Sequence, residues 1–135
     1  MLRHTAANFG GEVVRNTPRV RYAGSGGDVE LLGVYYADDG QYIENRLLVD
    51  HNHPYCRSNV LYKGALQGDK SSKLPDARTC WVGDVLIRSN ASGTETYEAN
   101  RNIVLTDGAR ADAIPNLEIE TGDIPGAGPV SYTHL

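Results

Sequence analysis

The chain has 135 residues, the size of one ordinary domain, and is long enough to bury a core without disulfides or a structural metal. Asp and Glu together number 17 and Lys and Arg 13, which gives a formal net charge of −4. This mildly acidic balance, without a basic run, argues against nucleic acid or an anionic membrane surface as a partner. No apolar run approaches the roughly 20 residues that cross a bilayer.

The start of the chain and its cysteine content both bear on the cellular compartment. The first residues, MLRHTAANFGG, lack the apolar segment of a signal peptide. Two cysteines, Cys56 and Cys80, are too few for the disulfide framework of a secreted domain. We therefore expect two reduced thiols in a cytoplasmic protein.

Strand-like stretches follow one another along the chain. In PRVRYAG (18–24), Val20 and Tyr22 fall on one face of an alternating pattern. No window has convincing helical periodicity, and TETYEANRNIVL (94–105) comes closest. The other strand candidates are, in chain order, LLGVYY (31–36), LLV (47–49), WVGDVLI (81–87), NIVL (102–105) and NLEIET (116–121).

Turn sequences separate these stretches and contain the Gly, Asn and Asp that tight turns favour. The longest polar interruption, QGDKSSKLPDA (67–77), is predicted to be a surface loop. Strands punctuated in this way predict a single all-β domain, either a sandwich, a barrel or a solenoid. The turn sequences are AGSGGD (23–28), ADDG (37–40), SNASG (89–93), TDGA (106–109) and TGDIPGAG (121–128).

The segment VDHNHPYCRSN (49–59) contains the clearest candidate metal ligands. On a strand, His51 and His53 would share one face, as two zinc ligands can, and Cys56 would join them only if Pro54 bends the chain. The alternative is that the histidines cap the strand or face solvent while Cys56 packs as a small apolar group. A small zinc-binding all-β module is thus one hypothesis, although the remaining His and Cys residues show no partnering spacing: His4, Cys80 and His134.

Sequence patterns that indicate catalysis are weaker than the metal-ligand pattern at 49–59. Ser58 and Cys56 lie near His51, but no Gly-x-Ser-x-Gly turn surrounds them, and no glycine cluster matches a phosphate-binding loop. Paired carboxylates would suit a β-helix enzyme that acts on polysaccharides, although the missing secretion signal and the single Trp81 argue against it. We expect the first of these pairs to be a turn and the other two to lie on outward strand faces: Asp38–Asp39, Glu95–Glu98 and Glu118–Glu120.

Three long stretches, taken together, resemble the SufB/SufD family of the SUF iron–sulfur cluster assembly machinery, and SufD-type members most closely. The segment LRHTAANFGGEVVRNTPRVRYAGSGGDVELLGVYYADDGQYIENRLLVDH also resembles the part of SufD that precedes them, so the likeness covers roughly residues 2–128. The three stretches are VDHNHPYCRSNVLYKGALQG (49–68), WVGDVLIRSNASGTETYEANRNIVLTDGARAD (81–112) and IPNLEIETGDIPGAG (114–128).

The resemblance implies a right-handed parallel β-helix, a solenoid of stacked coils that is truncated here at both ends. It also implies a non-catalytic scaffold that pairs with SufB, supports iron acquisition and works with the ATPase SufC. No cofactor is then expected to bind stably, and an iron–sulfur cluster or iron would be held transiently by the complete complex. His51 and Cys56 match family positions and remain the candidates for handling iron or sulfur.

The chain departs from the family pattern near its end. Pro129 stands where SufD-like sequences place an interface histidine, and His134 lies in no matching motif. We therefore divide the chain into a partial SufBD-type core (1–128) and a tail outside the family (129–135), which resembles sequencing read-through. The resemblance also implies that the SufC-docking segment and the N-terminal helical region are missing. The open coil ends predict self-association.

Overall fold

The structure, a computed structural model, describes residues 1–120 and the backbone of residues 126–134. These residues form strands and no helix, so the all-β prediction is confirmed. Within the same residues there is no helix long and apolar enough to cross a membrane. The strands are β1 (Leu2–Phe9), β2 (Val13–Asn16), β3 (Arg19–Arg21), β4 (Asp28–Ala37), β5 (Tyr42–His51), β6 (Arg57–Leu66), β7 (Arg78–Ile87), β8 (Glu95–Val104), β9 (Arg110–Ile119) and β10 (Gly126–His134).

The strands form two sheets in which every pairing is parallel. Sheet A has the order β1-β4-β6-β8-β10, and sheet B has the order β2-β5-β7-β9, with β3 also paired to β5. From β4 onward, successive strands belong alternately to sheet A and sheet B. From β4 onward each strand therefore pairs with the strand two places away in the chain, and the turns carry the chain between the sheets. Strands β1 and β2 instead pair with β4 and β5, three places away.

The core lies between the two sheets and is built from alternate residues of each strand. Because successive side chains of a strand point to opposite faces, inward residues of paired strands align in columns across a sheet. Val49 of β5 pairs with Val85 of β7, and Trp81 of β7 pairs with Asn45 of β5. Trp81 is fully buried. Large buried side chains come from both sheets: Leu31, Tyr35, Ile43, Leu47, Val60, Tyr62, Leu66 and Ile87.

Two tyrosine–glycine pairs fill the centre of sheet A's inner face. Gly33 of β4 pairs with Tyr62 of β6, and two residues later Tyr35 pairs with Gly64. Each ring occupies the space over the glycine of the neighbouring strand, so a methyl group on either glycine would overlap that ring. Neither glycine has a positive φ, and they are therefore required for space rather than for backbone conformation.

Strand β8 has a polar inner face, which the sequence did not predict. The buried Asn100 donates hydrogen bonds to the Tyr35 hydroxyl (3.0 Å) and to the Tyr62 carbonyl (3.1 Å). The Asn102 amide donates to the Asn100 side-chain oxygen at 2.8 Å. A network of this kind satisfies buried amides that would otherwise be costly to desolvate.

The predicted surface loop and the four turns predicted within residues 1–120 are present. Of the turn predicted at 121–128, residues 121–125 lie outside the described residues and the last three belong to β10. Asp38 and Asp39 lie in the β4–β5 turn, where Gln41 N donates to Asp38 O and Gly40 has a φ of 75°. Residues 67–77 connect β6 to β7 outside the strands, as predicted. Gly40 N also donates to Pro75 O at 2.6 Å, so the turn packs against this loop.

Candidate functional site

The candidate site lies where β5 ends and the chain turns into β6. His51 is the last residue of β5, points inward and is fully buried. Its Nε2 lies 2.8 Å from Ser58 Oγ, which in turn lies 2.7 Å from Thr96 Oγ1. The Tyr22 ring packs against the imidazole with 5.0 Å between ring centroids. Three strand-borne polar groups thus form one buried hydrogen-bonded line.

Burial determines the charge state of His51. Desolvation lowers the pKa of the imidazole to about 4, only partly opposed by the charge of Asp50. The ring is therefore neutral at physiological pH, which is the form that can bind a metal. Its Nδ1 has no hydrogen-bond partner among the described residues, so no carboxylate orients it as in a catalytic triad.

His53 does not share a strand face with His51. Strand β5 ends at His51, and His53 lies in the turn that contains Pro54. A bend at Pro54 was predicted from the sequence. The expectation of two histidines at i and i+2 on one strand face was therefore wrong. The residue after Pro54, Tyr55, has a φ of 59° and is 67% exposed. The two histidine side chains consequently lie in different environments, one in the core and one in the turn.

Cys56 is buried at the same turn. Its Sγ lies 3.5 Å from Gly24 O and 3.7 Å from Pro54 O, both of which can accept from a thiol. Within the described part of the chain, no group of three or more His, Cys, Asp or Glu side chains is arranged to hold a metal ion. The geometry therefore does not favour the zinc module, and the environment of Cys56 matches that of a packed thiol.

An ion-pair cluster on the outer face of sheet B holds the turn between β5 and β6 in place. Asp50 points outward beside His51, and its side chain is only 7% exposed. Arg88 donates to both Asp50 carboxylate oxygens, at 3.0 and 3.1 Å, and Arg21 lies 3.8 Å away. The Asn52 side chain also forms two hydrogen bonds with the backbone of Tyr22, each 2.9 Å long. These contacts join the connections that follow β3, β5 and β7.

We expect Arg88→Ala to lower the free energy of unfolding measurably, because a largely buried carboxylate loses a bidentate partner. Urea unfolding measures the change. The matched control is Arg110→Ala, which breaks an exposed pair with Asp112 at 3.0 Å and is expected to cost less than about 0.5 kcal/mol. Equal effects of the two substitutions would contradict a special role for the Asp50 cluster.

Glu98 is a buried titratable group, although the sequence pattern predicted it on an outward strand face. We expected Glu95 and Glu98 to lie on outward faces, but only Glu95 does, paired with Arg57 at 2.7 Å. Glu98 points inward toward Gly83, is 2% exposed, and neither oxygen has a hydrogen-bond partner among the described residues. Burial, and secondarily Asp84, raises the pKa of this carboxyl to about 8.

Carbohydrate chemistry finds no support in these positions. Glu98 is buried in the core, and Trp81 beside it is fully buried and cannot act as a platform for a sugar ring.

Cys80, the second thiol, lies partly exposed on the outer face of sheet B. Burial and then the carboxylates Glu44 and Asp112 raise its pKa. Neither cysteine forms a disulfide.

The fold defines a parallel all-β protein whose strands alternate between two sheets. The family model described as "SUF system FeS cluster assembly, SufBD core domain" matches residues 1–128. The chain therefore belongs to the SufBD family of the SUF iron–sulfur cluster assembly system, and the resemblance to that family is confirmed. Proteins of this family are assembly components.

Individual relatives agree with this assignment. An iron–sulfur cluster assembly SufBD family protein of Mycobacterium tuberculosis is 68% identical over 133 residues, which is 98% of this chain and 34% of that protein. The corresponding protein of Mycobacterium leprae is 65% identical over the same share of each chain. The iron–sulfur cluster assembly protein SufD of Escherichia coli is 23% identical over 116 residues, 86% of this chain and 26% of that protein.

The chain spans about a third of the length of the mycobacterial relatives that it matches. No solved structure has significant similarity to it. The side chains of Pro129 and His134 lie outside the described residues, so the missing interface histidine and the separate tail at 129–135 stay predictions.

Proposed function

We propose that this chain is the central part of a SufD-type scaffold and that its two sheets are the walls of a right-handed parallel β-helix. The observation that carries the proposal is the family match over residues 1–128, the same residues whose strands alternate between two parallel sheets. Coils stacked in this way bury a continuous core and form a long rigid support. A rigid support suits a protein that holds others in place.

The full-length protein then acts in the cytoplasm without catalysing a reaction itself. It pairs with SufB and works with the ATPase SufC, while iron, sulfide or a nascent cluster is the cargo of the complete complex. The burial of His51, Cys56 and Glu98 supports a non-catalytic role, because these reactive side chains face the core rather than a substrate cleft.

A binding experiment tests the scaffold role. We expect purified full-length protein to co-purify with SufB and SufC, with iron and sulfide in the complex measured chemically. The 135-residue chain is expected to retain binding to SufB. Failure of the folded full-length protein to bind SufB would contradict the proposal.

Transient iron or sulfur handling at His51 and Cys56 is a second candidate role. It is supported by the neutral imidazole with an unpartnered Nδ1 among the described residues and by a thiol at the same turn. If it holds, the full-length protein with both residues replaced by Ala should give a lower cluster yield. The packing control is Ser58→Ala with Thr96→Val, which disturbs the same hydrogen-bonded line and removes no ligand. Equal yields from the two folded variants would contradict this role.

A further inference from the structure

Both outer faces carry arginines paired with carboxylates, but one adjacent cationic pair on sheet A lacks such partners among the described residues. On sheet A the paired arginines are Arg3 with Glu30 and Arg57 with Glu95. On sheet B, arginines pair with carboxylates in five places: Arg15–Glu44, Arg46–Glu44, Arg21–Asp50, Arg88–Asp50 and Arg110–Asp112. On sheet A, Lys63 of β6 and Arg101 of β8 are exposed register partners. Within residues 1–120, neither has an ion-pair partner. Sheet A thus presents two adjacent like charges to solvent.

A row of apolar side chains lies beside this cationic pair. It crosses four strands of sheet A in direct register and consists of Phe9, Tyr36, Ala65 and Ile103, which we call the apolar column. Phe9 is 68% exposed and Ile103 46%. The column borders a shallow depression of about 300 Å³, and the small residues Gly64 and Ala65 help to line it.

The arrangement matches the dimensions of one helix laid across the strands. Four strands about 4.8 Å apart span roughly 14 Å, which is the length of about ten helical residues. Apolar side chains at i, i+3 or i+4, and i+7 would follow the apolar column. Lys63 and Arg101 lie on adjacent strands. Their separation matches that of two carboxylates at i and i+4 on the flank of such a helix.

A physical argument favours a helix over a second copy of this chain. A second copy packed face to face would bring its own Lys63 and Arg101 against the same two cations, which is unfavourable in a desolvated contact. A partner with carboxylates removes that repulsion.

We propose that the apolar column and the Lys63–Arg101 pair form a docking surface for an acidic amphipathic α-helix of a partner protein. The apolar stripe of the helix covers the column and fills the depression over Ala65. Two of its carboxylates, one turn apart, pair with Lys63 and Arg101. This surface goes beyond the proposed scaffold role and does not depend on it.

The test uses the full-length protein that contains this chain and a stapled helical peptide of about 16 residues, with Leu along one stripe and a Glu pair at i and i+4 beside it. We expect Ile103→Asp to weaken the Kd of this peptide about tenfold or more. The matched control is Ile114→Asp, an isoleucine 52% exposed on the outer face of sheet B, which should leave the Kd within about twofold. Equal Kd values for these two variants would overturn the proposal.

Exchanging the charges of the peptide and of the docking surface tests the ionic contribution to binding. A peptide with Lys in place of the Glu pair should bind the wild-type chain about tenfold more weakly than the acidic peptide. The Lys63→Glu/Arg101→Glu variant should reverse this preference. An acidic peptide that binds no better than the basic one, or that does not bind at all, refutes the docking surface. All of these substituted side chains are exposed, and circular dichroism of each variant checks that it is folded.

Discussion

The Glu98→Gln variant is expected to lose the fall in stability that the wild-type chain shows between about pH 6.5 and pH 8. In the folded chain the pKa of Glu98 is raised from 4.5 to about 8. Between these values the folded state binds a proton that the unfolded state has released, so the free energy of unfolding falls as pH rises. The full contribution of Glu98 is about 4–5 kcal/mol across that window.

His51 acts in the opposite direction over part of this range. Its pKa is lowered from 6.5 to about 4, so between these values the unfolded state binds the extra proton and stability rises with pH. The two slopes of the free energy of unfolding against pH cancel between about pH 4.5 and 6.5. Above about pH 6.5 only the decline caused by Glu98 remains. The wild type should therefore be nearly flat in acid and lose about 2 kcal/mol between about pH 6.5 and 8.

Urea unfolding at about pH 4.5, 6.5 and 8 measures both contributions. Glu98→Gln should gain about 3 kcal/mol over the first interval and then stay flat, while His51→Gln should decline throughout. Glu95→Gln is the control, because this carboxyl lies on the outer face of the same strand. A Glu98→Gln variant with the slope of the wild type would contradict a protonated Glu98 in the core.

Several strands could be predicted from sequence because their inner faces are apolar, but β1, β2 and β6 were not among the predicted strands. Blocks such as WVGDVLI in β7 and the alternation around Val20 mark strands without knowledge of their neighbours. Strand β8 does not follow this rule, since its inner face carries Thr96, Glu98, Asn100 and Asn102. A rule that places polar residues outside assigns Glu98 to the wrong face.

The candidate site was harder to predict because its contacts join strands that are distant in sequence. His51 reaches Ser58 nearby in the chain, but the line continues to Thr96, 38 residues beyond Ser58. The sequence shows the proximity of His51 and Ser58 but not that both point into the core. That depends on where β5 ends, and one residue of difference reverses which face a side chain occupies.

We expect Gly33→Ala and Gly64→Ala each to destabilise the chain by about 3 kcal/mol, the upper end of the usual range for overpacked cores. On a strand, alanine normally costs no more than glycine, so the effect must come from space. A methyl group at Gly33 would overlap the Tyr62 ring, and one at Gly64 would overlap the Tyr35 ring and Asn102. Both rings are nearly fully buried, so displacing either one would disturb close-packed neighbours.

Thermal or urea unfolding measures this loss, and Gly24→Ala provides the control because nothing lies within 4 Å of the position its methyl group would take. The steric cause is tested by a double-mutant cycle. Tyr62→Leu removes the ring that blocks Gly33, so Gly33→Ala should cost about 1 kcal/mol or less in that background. An undiminished cost in the Tyr62→Leu background would mean that the backbone at Gly33, rather than the Tyr62 ring, limits what this strand can accept.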